Sequence, residues 1–292
     1  MRARILGMLS ASVLFVLVAI PASATSEGHG YLALGDSVAF GTNPLVSPSN
    51  ANNFTGYPSI VARRLNIEDV NLACPGEATG GFIAPTGLDN LCRPYRAAFP
   101  LHVAYTGTQL AFATSFLREN PRTRLVTLNL DANDLFRLTS GPGPDVWPPS
   151  GCFVANLVQY FATCAVQNLE TIFAALRATG YQGLIVAVTY YALNYNDPTG
   201  LLGTNLLNSA MITAAAGYGV LIASGFDAFA PVAATAGGDS CAAGLLIRLS
   251  ATTCDVHPTP LGRDLLAGAV IDAIAASCPA ASPIGCLDRN RS

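Results

Sequence analysis

The run Tyr31-Leu-Ala-Leu-Gly-Asp-Ser-Val38 carries an apolar stretch directly into Gly35-Asp36-Ser37. A serine just past a strand end can act as a nucleophile, provided that a base takes its proton. Gly, Asp and Ser are also ordinary turn formers, so the triplet has meaning only with partners. Histidine is scarce: His29, His102 and His257 are the three in 292 residues. His29 lies in a terminal tail, and His102 opens a predicted helix with no partner pattern around it. His257 stands in Cys254-Asp-Val-His-Pro258, at a loop leading into the last predicted helix, and is the base candidate.

Acyl transfer by a serine also needs hydrogen-bond donors aimed at the developing oxyanion. Asn71-Leu-Ala-Cys-Pro-Gly76 follows a short apolar run, and Gly76 offers an unobstructed main-chain N–H. Leu128-Asn-Leu-Asp-Ala-Asn-Asp-Leu135 closes another run, and Asn133 offers a side-chain amide. Either segment alone would read as a turn.

The elements that must position these residues alternate between strands and helices. Strands are expected at Gly30–Leu34, Val70–Ala73, Leu125–Leu130, Gly183–Thr189 and Val220–Ala223. Helices are expected at Tyr57–Leu65, His102–Arg118, Cys152–Thr179, Asn205–Ala216 and Pro260–Ala276. Such alternation argues for a parallel sheet covered on both faces, with ligands bound at the carboxyl ends of its strands. No repeat and no long linker divides the chain, so residues 25–292 read as one domain. The Pro/Gly-dense stretch Ser140 to Ser150 reads as a surface loop.

With Gly35-Asp36-Ser37-Val38, Gly76, Asn133-Asp134 and His257-Pro258 in this order, the chain resembles the GDSL/SGNH hydrolase family. The resemblance spans Leu32 to His257. It implies a flavodoxin-like three-layer α/β/α fold with a central parallel sheet. It also implies Ser37 as nucleophile, His257 as base, and an oxyanion hole formed by the Ser37 N–H, the Gly76 N–H and the Asn133 side chain. The reaction implied is hydrolysis of carboxylic esters through an acyl-enzyme, with no metal and no organic cofactor. The G-x-S-x-G elbow of other α/β hydrolases is absent.

Two positions depart from the family pattern. The third block usually reads Gly-x-Asn-Asp, and Asp131 takes the place of its glycine; its carboxylate is expected to face away from the oxyanion. The family's acid usually stands three residues before the histidine, where this chain has Cys254. Asp255 is therefore the expected third catalytic member, with the Cys254 carbonyl as the competing orienter of His257. The segment from Asn133 to Cys164 carries Leu135, Phe136, Leu138, Val146, Trp147, Phe153 and Tyr160, which suit an apolar acyl group if they border the site. A single tryptophan speaks against a sugar-stacking surface. A carbohydrate acetylesterase or phospholipase of the same fold, and a secreted binding protein with a degenerate site, are the alternatives.

Composition restricts the setting. All 15 basic residues are arginine, which excludes phosphate loops and Schiff-base chemistry that need a lysine. A net charge of −3 gives no basic face for nucleic acid. Residues 1–24 read as an export signal: Arg2 and Arg4, a 16-residue run from Ile5 to Ile20, then Ala22-Ser23-Ala24. That run is short of the roughly 20 residues that span a bilayer. Its removal leaves 268 residues and a net charge of −5. The expected product is a secreted monomer without a stable membrane anchor, acting on a small-molecule or lipid ester. Export makes the eight cysteines disulfide candidates, most simply Cys74–Cys92, Cys152–Cys164, Cys241–Cys254 and Cys278–Cys286. No C-x-x-C occurs, which argues against structural zinc.

Overall fold

The computed structural model describes residues 30–87, 89–140, 156–278 and 282–289. Residues 1–24, His29, residues 141–150 of the expected surface loop (Val146 and Trp147 among them), Cys152 and Phe153 lie outside the described residues.

Five strands, β1 (Tyr31–Gly35), β2 (Asp69–Asn71), β3 (Leu125–Asn129), β4 (Leu184–Val188) and β5 (Val220–Ala223), form one sheet. Its order is β2-β1-β3-β4-β5 and every pairing is parallel. The register sets Tyr31 against Asp69 and Leu125, and Leu125 against Leu184. Because both faces are covered, β1 and β3 are buried throughout and read as near-continuous apolar runs. The polar Thr127 on β3 is accommodated by the Tyr31 hydroxyl at 2.7 Å. One face is covered by helices Tyr57–Leu65 and Pro260–Ser277, the other by Gln109–Glu119, Val166–Ala178 and Pro198–Ala215. This is the expected three-layer α/β/α fold.

Several boundaries move for identifiable reasons. The helix expected from His102 begins at Gln109, where Thr108 caps it by accepting from the Ala111 N–H. Gly107, with φ +75°, breaks the chain just before. The helix expected from Asn205 begins at Pro198, capped by Asp197, a start signalled by the Asp-Pro pair. A separate antiparallel pair, β6 (Leu246–Arg248) and β7 (Cys254–Pro258), replaces the loop expected around His257. Disulfides Cys74–Cys92, Cys241–Cys254 and Cys278–Cys286 form as expected, and Cys164 is also disulfide-bonded. No helix among the described residues is long and apolar enough to cross a membrane.

Candidate active site

The strand order reverses direction at β1, between its neighbours β2 and β3, and the loops leaving these carboxyl ends converge there. Gly35 ends β1 at φ +138°, where a Cβ would stand 2.2 Å from the Asn129 carbonyl oxygen. The chain then turns through Asp36 into the short helix Ser37–Phe40. Asp36 caps this helix, its Oδ1 accepting from the Val38 N–H at 2.9 Å. Ser37 thus stands first in the helix, half-buried at the mouth of a cleft. Its hydroxyl and its N–H have no hydrogen-bond acceptor or donor partner among the described residues.

Gly76 follows β2 with φ +85°, and a Cβ there would lie 2.1 Å from the Asn90 carbonyl oxygen. Only glycine fits, and its N–H is likewise unpartnered among the described residues. Asn133 and Asp134 follow β3 on the helix Ala132–Ser140 and divide the work. Asn133 borders the cleft, with Nδ2 donating to the Glu77 carbonyl at 2.9 Å and to Asp36 Oδ2 at 3.2 Å. Asp134 points inward and accepts from the Thr79 N–H, the Thr79 hydroxyl at 2.6 Å and the Tyr160 hydroxyl at 2.5 Å. Tyr160 is therefore part of the interior and not of the cleft wall.

His257 reaches the site on β7, which packs against the helix bearing Ser37. Side chains two apart on a strand share a face. Asp255 Oδ1 accordingly accepts from the His257 ring at Nδ1 and from the His257 main-chain N–H at 2.9 Å. Burial pushes the Asp255 carboxyl up, but these bonds and the charge of His257 outweigh it and leave the carboxyl below its ordinary range. Tyr191 steadies β7 by donating to the Val256 carbonyl at 2.7 Å while stacking on Phe229. His102 is held elsewhere: its Nε2 meets the Phe40 carbonyl oxygen at 2.9 Å behind the helix.

Asp36 was not singled out by sequence reasoning. It is buried and bonded to Val38, Asn133 and the Tyr190 hydroxyl, the last at 2.5 Å. Burial raises its carboxyl to about 6 in spite of these donors. Tyr190 and Tyr191 were also missed. Their position directly after β4 was the available signal, since residues past a parallel strand end face the ligand side.

The cleft encloses about 250 Å³. Ser37, Asn133, Leu135, Phe136, Tyr190 and Leu207 are among its walls, which are mainly apolar. Gly200 and Thr204 from the helix Pro198–Ala215 also line it.

The sequence profile of the GDSL-like lipase/acylhydrolase family matches residues 33–265. The chain belongs to this family. No curated protein sequence matches it significantly. Among solved structures, phospholipase A1 from Streptomyces albidoflavus NA297 is similar at a TM-score of 0.54 and 18% identity, over 84% of this chain and 99% of that one. An extracellular lipase from Streptomyces rimosus matches at TM-score 0.54 and 18% identity, over 83% and 98%. An acetylxylan esterase from Geobacillus stearothermophilus matches at TM-score 0.52 and 17% identity, over 83% and 92%. These likenesses concern the fold.

Asp131 stands where the resemblance leads to the expectation of a glycine. Its φ is +96°, a backbone region that suits the glycine it replaces. The side chain is 1% exposed, does not line the cleft, and neither carboxyl oxygen meets a hydrogen-bond donor among the described residues. Burial first, then Asp134 and Asp36, push its carboxyl well above the ordinary range. A group raised in the folded state binds its proton more tightly there than when unfolded. Its stability contribution is therefore lost as pH rises from the ordinary carboxylate value towards the folded one. Asp131→Asn should match the unmodified protein near pH 4 and melt higher by roughly 3 °C or more at pH 8. Thermal unfolding across that range checks this; a constant difference would contradict it.

Proposed function

We propose that this protein is an exported, monomeric serine hydrolase that cleaves carboxylic esters bearing an apolar acyl group. The observation that carries the reading is the apolar cleft opening at Ser37, with the hydrogen-bonded Asp255–His257 pair on the adjoining strand. His257 takes the Ser37 proton at Nε2 as Ser37 Oγ attacks the ester carbonyl, while Asp255 holds the other ring nitrogen. The Ser37 and Gly76 N–H groups and Asn133 Nδ2 receive the oxyanion. For Asn133 this exchanges its longer bond, the one to Asp36, for the oxyanion. The alcohol leaves with the proton from His257. Water, deprotonated by His257, then releases the acid and restores Ser37.

Export rests on the Arg2/Arg4 segment and its Ala22-Ser23-Ala24 site, and on the disulfides, which persist in oxidising compartments. A degenerate binding protein loses one of its two supports, because Asp255 does reach the histidine. The test is labelling by a fluorophosphonate, which only an activated serine attacks, followed by a panel of acetylated sugars, phospholipids and simple esters. Stoichiometric labelling at Ser37 is expected. Because burial contributes about 0.8 kcal/mol per CH₂, kcat/KM should rise roughly three- to fourfold per acyl methylene until the cleft is full. A protein that does not label, or that prefers acetyl over every longer chain, would contradict the proposal.

A further inference from the structure

Gly76 and Asn133 arrive from the ends of different strands, and one residue touches both. Asn90 donates its main-chain N–H to the Gly76 carbonyl at 2.8 Å and its side-chain Nδ2 to Asn133 Oδ1 at 3.0 Å. It does not line the cleft. The chain around it is closely held. Asp89 accepts from the N–H groups of Leu91 and Arg93, each at 3.1 Å, and pairs with the Arg93 side chain at 3.2 Å. Arg93 also donates to the Pro85 and Gly87 carbonyls at 2.6 Å. The Cys74–Cys92 disulfide closes the segment, with one cysteine two residues before Gly76 and the other two residues after Asn90.

We infer that Asn90 is a positioning residue of the oxyanion hole, clamping the Gly76 loop to Asn133 and setting which end of the Asn133 amide faces the reacting carbonyl. The inference rests on the proposed reading of Gly76 and Asn133 as oxyanion donors. An amide helps an oxyanion only through its NH₂; turned over, it presents an oxygen that repels it. On the NH₂ side of Asn133 stand two acceptors, the Glu77 carbonyl and Asp36. On the oxygen side, Asn90 Nδ2 is the one donor among the described residues. Removing it leaves the oxygen unpaired at a nearly buried position. Replacing it with a carboxylate sets two oxygens against each other, so that Asn133 either shifts from its place or turns over and loses its bonds to the Glu77 carbonyl and Asp36.

The decisive pair of variants is Asn90→Ala and Asn90→Asp. Both keep the main-chain bond to Gly76, and aspartate has the shape of asparagine. Loss of an oxyanion donor costs about 10²–10³ in kcat. Asn90→Asp should therefore lose about 10²-fold and Asn90→Ala about tenfold, with KM within about twofold, because the oxyanion exists only beyond the ground state. Rates are normalised to the fraction labelled at completion by the fluorophosphonate, so that misfolded protein does not count. In an Asn133→Ala background, Asn90→Asp should cost less than about twofold, as a residue acting through another must. Equal losses for Ala and Asp, a loss carried by KM, or full additivity with Asn133→Ala would overturn the inference. So would turnover within twofold of the unmodified protein. In each case a protein that still labels keeps the proposed function standing, whereas absent labelling of the unmodified chain would bring down that reading itself.

Discussion

Ser37→Ala is expected to lower ester turnover by about 10⁵–10⁶-fold while leaving the fold intact. The magnitude follows from removing the atom that forms the acyl bond, which leaves only binding and the oxyanion donors to act on water. The intact fold follows from how Ser37 is held. Its hydroxyl makes no hydrogen bond to another described residue. The helix it begins is capped by Asp36 and closed by Gly41, whose N–H donates to the Ser37 carbonyl at 3.0 Å. Those bonds do not involve the side chain, so the melting temperature should shift by no more than a surface substitution would cause, within about 0.5 kcal/mol. Steady-state hydrolysis of a short chromogenic ester and a thermal melt of the same preparation check both halves. Retention of a few per cent of the rate would place the nucleophile elsewhere.

The second large effect is expected at Asp255→Asn, about 10⁴-fold in kcat near neutral pH. In the proposed mechanism Asp255 accepts from His257 Nδ1, which leaves Nε2 to act as the base. An asparagine amide at the same place donates instead, holds the proton on Nε2, and presents Ser37 with the wrong tautomer. The His257 main-chain N–H also bonds to Asp255 Oδ1, so the carboxylate is fixed relative to the ring by its own strand. Those contacts hold the Asp255 carboxyl below the ordinary carboxylate range, so it accepts from the ring as a carboxylate near neutral pH. The pH–rate profile of the two proteins measures this directly. A drop of only a few-fold would transfer the orienting role to the Cys254 carbonyl.

Much of the site was legible because its parts are local. Gly35-Asp36-Ser37 ends an apolar run, Gly76 and Asn133 sit in turn-forming segments after later runs, and His257 was the one histidine near a plausible site. Each signal depends on neighbours in the chain. The hairpin of β6 and β7 was not legible, since Cys254-Asp-Val-His-Pro258 has one apolar residue flanked by polar ones and is stabilised by its partner strand and by Tyr191. That omission mattered, because two-residue spacing is uninformative in a loop and decisive on a strand. The helix Pro198–Ala215 was foreseen only in part, and its role as a cleft wall was not foreseen.

Residue types and spacing by themselves indicated a parallel sheet covered on both faces and named the nucleophile and base candidates. The ordered blocks carried the resemblance to the family, and short-range spacing made 74–92, 241–254 and 278–286 the simplest disulfide pairs, which the structure then showed. Those features follow from local propensity, from the order of blocks along the chain and from the number of groups able to do the chemistry. Only the tertiary structure decided that Asp255 meets His257, that Asp131 is buried without a partner, that Asp36 joins the site, and that Asn90 bridges Gly76 and Asn133. The physical reason is that strand register and helix packing set which distant groups meet and which lose contact with water, and no single stretch of chain encodes either.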